Sequence, residues 1–403
     1  MIKDGYHITY CSNIHPGETW EETFHSLQTH IPSIKEVMSP QNSFGIGLRL
    51  SNEASLELIK EERLTQFKSW LRVNDCYVFT LNGFPYGGFH RQVVKDQVHF
   101  PDWVSSDRKD YTLRLFQILE ALLPDGMDGG ISTSPLSYRF WFQGEKDLRE
   151  AKKKSIVQIA EIALKLHHIK LSSGKILHLD IEPEPDGLIE NTGEVIDFFR
   201  NGLVPIGTDL LKDQLHVSEE EAEIILKEHI RICYDVCHFA IVYEKPEEVF
   251  GAFKAEGIQV GKIQISAALK VDLPADADQR RDIGTLLLPF AESTYLHQVV
   301  AREADGQLTP YRDLPMALNR LSETLSEEWR IHFHVPVFLE QYGKLYSTQE
   351  DILEVLAFLG KEKITNHLEV ETYTWEVLPE EINLNLTHSI IRELQWVIEH
   401  MDQ

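Results

Sequence analysis

The chain has 403 residues, of which 42% are apolar and 26% charged, and its formal net charge is −25. This length fits one large domain or two, and the acidic excess argues against nucleic acid and anionic membrane surfaces as partners. The four cysteines are too few for a disulfide framework. Since neither a signal sequence nor a membrane-spanning apolar run is recognisable, we expect a cytoplasmic protein without membrane insertion.

Strand-like runs alternate with amphipathic helical stretches along most of the chain. The strand-like runs are, in order, 7–13, 44–50, 76–83, 129–136, 176–185, 230–240, 260–269 and 367–375. Such alternation is typical of a parallel sheet, and eight repeats predict a closed (β/α)₈ TIM barrel. A doubly wound open sheet is the alternative, although no Gly-x-Gly-x-x-Gly follows the first strand.

The alternation breaks after the seventh strand-like run. Two further strand-like runs, 295–302 and 330–337, flank a polar segment with a turn at Asp305-Gly306. We interpret 295–337 as an inserted excursion that folds back over the site. Because no low-complexity tract or linker divides the chain, we predict a single domain over 1–403.

Polar residues stand at the ends of the last four barrel strands, where the active sites of such barrels lie. They are Glu182, Asp235, Gln264 and Glu371. Three carboxylates at one point repel each other unless a cation lies between them. Hard divalent cations prefer oxygen ligands. We therefore predict that these four side chains bind one divalent cation, with Mn²⁺, Mg²⁺, Zn²⁺ and Co²⁺ left open.

The pattern leaves two choices open within this set. Glu184 is the alternative to Glu182, and Glu369 the alternative to Glu371, because a spacing of two puts both side chains on one strand face. Strand-end acids can also be structural.

Further polar residues lie where substrate contacts are common, at strand ends and in a Gly-rich loop. The candidates are His15, Asn82, Tyr86, His90 and His334. The loop is equally well explained as an ordered turn, and core packing explains its aromatic residues. His332 and His334 share a strand face, so the pair could bind zinc or could line the excursion as hydrogen-bonded residues.

Several of these positions resemble the xylose isomerase-like superfamily. Asp235-Val-Cys-His238 resembles its Asp-x-x-His motif, and Gly261-Lys-Ile-Gln264-Ile-Ser resembles the seventh-strand motif of hydroxypyruvate isomerases, where the glutamine is a metal ligand. Glu182-Pro and Leu368-Glu-Val-Glu371 fall where that superfamily keeps two metal-binding glutamates. The resemblance implies a sugar isomerase/epimerase barrel with a divalent cation.

A closer resemblance covers nearly the whole chain. The motifs that carry it are Cys11-Ser-Asn-Ile-His-Pro-Gly-Glu, Leu81-Asn-Gly-Phe-Pro-Tyr-Gly-Gly-Phe-His, Tyr295-Leu-His-Gln-Val-Val-Ala-Arg, His332-Phe-His-Val-Pro and His367-Leu-Glu-Val-Glu-Thr-Tyr-Thr-Trp. They resemble the metabolite-traffic protein EboE family, encoded in bacterial gene clusters linked to moving secondary metabolites. The resemblance implies a small-molecule metabolite with sugar or polyol character, and proteins of the same gene cluster, as partners.

The mechanism implied by the superfamily is proton transfer at a carbon next to an oxygen bound by the metal. Glu182 and Glu371 would act as acid and base on opposite sides of that carbon, and His238 would hydrogen-bond a substrate oxygen. The arginine that holds an anionic substrate in hydroxypyruvate isomerases has no counterpart after Gln264. We expect a metal-dependent sugar isomerase or epimerase. A non-catalytic metabolite-binding protein, or a metal-dependent hydrolase or lyase, is the alternative.

Overall fold

The computed structural model describes residues 1–88, 93–376 and 385–401. Within them the strands are, in chain order, Ile2–Lys3 (β1), Tyr6–Tyr10 (β2), Phe44–Arg49 (β3), Cys76–Asn82 (β4), Gly129–Thr133 (β5), Leu177–Ile181 (β6), Ile230–Asp235 (β7), Val260–Ile265 (β8), Ala267–Asp272 (β9), Val299–Arg302 (β10), Leu308–Tyr311 (β11), Glu328–Val335 (β12), Gln341–Tyr342 (β13), Leu345–Ser347 (β14) and His367–Val370 (β15).

Helices cover the outside of the strands and fill most of the connections. They are Trp20–Met38 (α1), Asn52–Leu58 (α2), Glu61–Val73 (α3), Ser106–Leu122 (α4), Glu145–Ser173 (α5), Thr192–Asp197 (α6), Val204–Leu215 (α7), Glu219–His229 (α8), Val236–Ile241 (α9), Pro246–Ala255 (α10), Ala277–Leu287 (α11), Leu314–Leu318 (α12), Gln349–Leu359 (α13) and Leu386–Met401 (α14). Among the described residues, no helix combines the length and apolar character that a membrane span requires.

Eight parallel strands form the barrel in the order β2-β15-β8-β7-β6-β5-β4-β3, with β1 added antiparallel beside β2. A parallel bridge between Cys11 and Gly47 joins the two ends of this sheet. The predicted (β/α)₈ barrel is therefore confirmed. The sequence signal is clear because every barrel strand except β8 is followed by a helix before the next strand begins.

A second, antiparallel sheet has the strand order β11-β10-β12-β9-β14-β13. The predicted excursion over 295–337 contains β10, β11 and β12, and the sheet also includes β9 before it and β13 and β14 after it. The run 260–269, predicted as one strand, is two strands in two sheets with only Ser266 between them. Its sequence has no glycine, proline or charged residue at the junction that would signal this change.

The helices begin at local signals that the sequence carries. Thr19 caps α1: its hydroxyl accepts from the Glu22 backbone N–H at 3.2 Å while the Glu22 carboxylate accepts from the Thr19 N–H at 3.1 Å. This reciprocal capping satisfies two backbone donors that no helical carbonyl can reach. Trp20, Leu27 and Ile31 then lie on one face of α1, buried against the barrel.

The interior of the barrel is strongly polar. Lys262 Nζ lies 2.6 Å from Glu369 Oε2, and neither side chain is exposed to solvent. Two glycines make room for interior acids: a Cβ at Gly47 would lie 1.9 Å from Glu369 Oε1, and one at Gly261 would lie 1.9 Å from Asp180 Oδ1. The barrel therefore encloses charges that only glycine neighbours accommodate at these two positions.

Candidate functional site

Three carboxylates meet at the carboxyl ends of the barrel strands. Glu182 directly follows β6, Asp235 is the last residue of β7, and Glu371 directly follows β15. All three are buried, and each offers an oxygen within 4.8 Å of an oxygen from the other two. The structure thus brings together three of the four side chains predicted to bind a cation.

Two of these carboxylates are oriented by specific donors. Asp235 Oδ1 accepts from the His238 backbone N–H at 3.1 Å, which caps α9, and from Ser266 Oγ at 2.7 Å. Glu371 Oε1 accepts from the side-chain amides of Asn13 at 2.7 Å and Asn82 at 3.0 Å. The carboxylates are therefore held in place by groups that donate to one oxygen and leave the other available.

The electrostatics reflect burial of like charges. Burial raises the pKa of Glu182 well above its usual value, and Glu371 and Asp235 raise it further. Burial also raises the pKa of Glu371 well above its usual value, with Asp235 and Glu369 adding to the effect. Burial also acts to raise the pKa of Asp235, but His238 and His334 outweigh burial, so this pKa is lowered. Such crowding favours a state in which one carboxyl group is ionised and the other two keep their protons.

The donor set fits a divalent cation. Glu182 Oε2 and Asp235 Oδ2 are buried and have no hydrogen-bond partner among the described atoms. An unpaired buried carboxylate oxygen is costly, and a hard cation with oxygen ligands removes that cost for several carboxylates at once. Lys262, which lies inside the barrel, already pairs with Glu369.

Gln264 lies beside Asp235 in the register of β7 and β8. Its Oε1 accepts from the Cys233 thiol at 2.7 Å, and its Nε2 has no partner among the described atoms. Rotating the amide by 180° would exchange these two atoms. The contacts of Gln264 as they stand are with Cys233, and its role as a ligand stays a prediction.

A cavity opens above the carboxylates. Its lining includes Glu182 and Glu371 at the ends of barrel strands, Asn82 at the end of β4 and Phe84 after it. The second sheet and the segment before it contribute Tyr295, Leu296, Gln298 and His332. The second sheet therefore forms one wall of the cavity, as expected for an excursion folded over the barrel mouth.

Three histidines stand beside the carboxylates. His238 Nε2 lies 3.1 Å from His332 Nε2, and the ring of His334 lies 5.7 Å from that of His238 between centroids. All three are buried. The Nδ1 atom of each faces an oxygen: Pro183 O at 2.9 Å for His238, Gln298 Oε1 at 2.9 Å for His332, and Glu371 O at 3.0 Å for His334.

The remaining predicted substrate contacts fall in different places. Asn82 lines the cavity. His15 lies apart from it, with Nε2 2.9 Å from the Tyr10 hydroxyl and its ring stacked on His30. Tyr86 also lies outside the lining and packs edge-on against Tyr111. His90 lies outside the described residues.

The two neighbouring acids in each open choice lie in different surroundings. Glu369 is paired with Lys262 deeper in the barrel, so Glu371 is the acid of the carboxylate group. Glu182 belongs to that group, whereas Glu184 lies near His238 and His332 and 3.0 Å from His99 Nε2. Both members of each pair are therefore used, in different surroundings.

Several cavity residues carried no signal that sequence reasoning could use. Asn13 and His99 lie in the short 3₁₀ helices Ser12–Ile14 and Lys95–His99, whose contact with the site depends on how distant segments pack together. Gln298 precedes an antiparallel strand. Asn13 lies two residues before His15, the residue of this segment that we predict as a substrate contact. The alternation of polar residues near a strand end did not distinguish between the two.

Comparisons with known proteins bear on the fold. No protein-family model matches the sequence, and no curated relative was found by sequence. A xylose isomerase-like TIM barrel protein from Mycobacterium smegmatis, in complex with magnesium, is similar with a TM-score of 0.52 at 10% identity, over 99% of this chain and 98% of that one. An IolI protein with a bound zinc atom gives 0.49 at 10% identity, over 98% of both chains.

At such low identity the similarity concerns architecture alone. The strand order, the parallel register and the position of the carboxylates at the strand ends are as expected for that architecture. The chain has the fold of the xylose isomerase-like TIM barrel proteins.

Proposed function

We propose that this protein is a divalent-cation-dependent isomerase acting on a neutral sugar or polyol. The observation that carries the proposal is the group of three buried carboxylates, Glu182, Asp235 and Glu371, at the mouth of the barrel. Glu182 and Asp235 each have a buried oxygen with no hydrogen-bond partner among the described atoms. Stability alone does not explain such an arrangement, because like charges buried together destabilise the fold. Perturbed carboxyl groups in a cavity are typical of catalytic sites.

Glu182, Asp235 and Glu371 would hold the cation, with Gln264 as the further ligand expected from the sequence. Mg²⁺, Mn²⁺, Zn²⁺ and Co²⁺ all accept such oxygen ligands. When bound, the cation would polarise a carbonyl or hydroxyl oxygen of the substrate. The solved barrel with a TM-score of 0.52 is in complex with magnesium, which supports a divalent cation on this architecture.

The spacing of the carboxylates suits a cation shared between them. Oxygens of Glu182 and Glu371 come within 4.8 Å of each other. These nearest oxygens are the ones that one cation could share, so the second oxygen of each carboxylate is left for proton transfer. We propose that Glu182 and Glu371 act as acid and base on a substrate carbon in this way, as expected from the sequence.

The charges around the cavity favour a neutral substrate. Lys95 is the lysine among the described lining residues, and its Nζ lies 2.8 Å from Asp313 Oδ2. The other charged lining residues are the acids Glu182, Glu184 and Glu371, which offer no positive charge to an anionic group. A phosphate or carboxylate group would therefore find no unpaired lysine or arginine among the described lining residues, whereas hydroxyl groups can hydrogen-bond to Asn82 and the carboxylates. Tyr295 and Tyr373 provide flat apolar surface for a sugar ring.

The biological setting rests on the resemblance to the EboE family. We propose a role in processing or moving a secondary metabolite with a sugar- or polyol-like part, in the cytoplasm and with proteins of the same gene cluster. The chain is proposed to act as one domain over 1–403, because the second sheet supplies a wall of the same cavity.

The test is solvent deuterium exchange. Metal-loaded protein would be incubated in D₂O with a panel of neutral aldoses, ketoses and polyol-bearing metabolites, and deuterium at carbon followed by mass spectrometry. We expect exchange into at least one compound, lowered about 100-fold or more in Glu371→Gln because a positioned base contributes that much. Glu350→Gln, a half-exposed acid on the outside of the molecule, serves as the control and should exchange at the wild-type rate.

A second outcome would favour the alternative function. If a compound binds, as measured by calorimetry, but shows no exchange in the metal-loaded protein, the isomerase proposal fails. Binding without turnover would identify the protein as a metabolite-binding protein built on the same barrel.

A further inference from the structure

A second cluster of ligating side chains stands next to the carboxylate group and uses nitrogen atoms. His238, His332 and Glu184 each offer an atom within 4.8 Å of the other two. His238 comes from α9 of the barrel, Glu184 from the loop after β6, and His332 from β12 of the second sheet. The cluster therefore forms only where the two sheets meet.

The hydrogen bonds fix which ring nitrogen of His238 carries its proton. Nδ1 of His238 lies 2.9 Å from the carbonyl oxygen of Pro183. A carbonyl oxygen only accepts, so Nδ1 must be protonated. In the neutral ring Nε2 then has a bare lone pair, and this lone pair points toward His332.

The tautomer of His332 is fixed by a longer chain of hydrogen bonds. Its Nδ1 lies 2.9 Å from Gln298 Oε1, and Gln298 Nε2 donates to the carbonyl oxygen of Pro185 at 3.1 Å. Turning the Gln298 amide over would set its oxygen against the Pro185 oxygen, which is unfavourable. His332 is therefore also protonated on Nδ1, and its Nε2 lone pair is bare.

Two bare lone pairs consequently face each other at 3.1 Å. They repel unless a positive charge lies between them. Two imidazole nitrogens that bind one tetrahedral zinc ion at about 2.0–2.1 Å lie about 3.3 Å apart, close to the separation seen here. Orientation of each ring by a hydrogen bond from its other nitrogen to an oxygen is the usual support of a metal-binding histidine.

From this geometry we infer a second cation site, separate from the carboxylate site, in which His238 Nε2, His332 Nε2 and Glu184 bind Zn²⁺ or a similar borderline transition-metal ion. Imidazole ligands select such ions over Mg²⁺. His334, whose buried Nε2 has no hydrogen-bond partner among the described atoms, stands beside it. His238 would then reach substrate through a cation rather than by the direct hydrogen bond implied by the superfamily.

The first test counts ions. After exhaustive chelation the protein would be reloaded with Zn²⁺, desalted, and its zinc measured by mass spectrometry. We expect two equivalents in the wild type, one in His332→Gln and one in Glu371→Gln. The control is His297→Gln, because His297 is also buried near the second sheet but both its nitrogens face oxygens, His332 O and Glu292 Oε1. It should retain two equivalents.

Loss of an equivalent in Glu371→Gln but not in His332→Gln would overturn this inference and leave the proposed function intact. The reverse result would support the imidazole site and remove the carboxylate site, so the two proposals fail separately. If wild type and His332→Gln both bind a single equivalent, the histidine pair instead shares a proton.

A measurement on the wild type tests the inference without depending on whether the variants fold. X-ray absorption at the zinc edge detects imidazole through scattering from the outer ring atoms. We expect imidazole ligands averaging at least one per zinc in protein that holds two equivalents. A zinc coordination shell made of oxygen alone would overturn the inference. Glu184→Gln, which keeps the side-chain shape, should weaken binding of the second equivalent by about tenfold or more.

Discussion

Two glutamates only two residues apart on β15 and its end have different chemical states. Glu369 is neutralised by Lys262 at 2.6 Å inside the barrel, whereas Glu371 stands among other acids at the mouth. Burial lowers the pKa of Lys262, but Glu369 and its hydrogen bond outweigh burial, so the pKa is raised and the lysine stays charged. The two residues therefore form a neutral ion pair inside the barrel, and Lys262 does not neutralise the acids at the mouth.

Removing the Lys262 side-chain charge should lower the stability of the fold. Lys262→Met leaves Glu369 as an unpaired buried charge, and we expect a loss of about 3–5 kcal/mol in the free energy of unfolding, measured by urea denaturation. Lys270→Met is the control, because Lys270 pairs with a half-exposed glutamate and should cost about 1 kcal/mol or less. The double variant Lys262→Met/Glu369→Leu should recover most of the loss. Equal losses in the two single variants would contradict this account.

The sequence identifies the strands whose ends carry the candidate acids. It does not identify which acid at each strand end belongs to the carboxylate group. Glu182 and Glu184, or Glu369 and Glu371, satisfy the same periodicity, and only the depth of each side chain in the barrel separates them. Depth depends on the register between strands, which no local pattern encodes. His15 and Tyr86 illustrate the same limit, since both follow strands yet face away from the cavity.

Among the elements, α14 is tied to the barrel by one buried acid. Glu393 Oε1 accepts from Thr372 Oγ1 at 2.7 Å, just beyond β15, and from the Val337 backbone N–H at 3.2 Å. Burial raises the pKa of Glu393 from 4.5 to about 7. Between pH 4.5 and about pH 7, the folded protein therefore keeps a proton on Glu393 that the unfolded chain has released.

The sign of the pH effect follows from this difference in bound protons. Stability falls with rising pH wherever the folded state binds more protons than the unfolded state. For Glu393 that window runs from the unfolded value of 4.5 to the folded value of about 7. Above pH 7 the folded protein must hold a buried carboxylate.

Glu393→Gln should remove this dependence. Relative to wild type, we expect the free energy of unfolding of the variant to gain about 2–3 kcal/mol between pH 5 and pH 8, measured by denaturation at both values. Glu399→Gln, which lies in the same helix, provides the matched control and should show no such difference between the two pH values. A constant offset for Glu393→Gln across the range would show that Glu393 does not hold the proton.

The barrel could be predicted from the sequence because each of its units is local: a buried strand, a turn and a helix with an apolar face. The second sheet could not. Its strands pair antiparallel across long separations, as when β12 pairs with β9. The run from Val260 to Leu269 contains the switch between the sheets without a glycine, a proline or a charge at the junction.

On the scale of the whole molecule, bound cation should stabilise the fold. Any ligand that binds the folded state alone adds about 2.7 kcal/mol at one hundred times its Kd. For 403 residues the entropy of unfolding makes this a rise of about 3 °C in Tm. We expect Mn²⁺ to give such a rise by scanning calorimetry, and EDTA to reverse it.

Asp235→Asn removes the ionised carboxylate of the group and should abolish most of the rise. The comparison is made within each variant, with and without Mn²⁺, so that a change in baseline stability does not matter. A rise of the same size in Asp235→Asn would place the stabilising ion elsewhere in the molecule.

Ser266 is the single residue that connects the barrel strand β8 to β9 of the second sheet. Its hydroxyl donates to Asp235 Oδ1 at 2.7 Å and accepts from the Cys237 backbone N–H at 2.9 Å. The joint between the sheets is thus also the support of a candidate metal ligand. A shift of the second sheet relative to the barrel would move Ser266, and the hydrogen bond from its hydroxyl group would pass that shift to the Asp235 side chain.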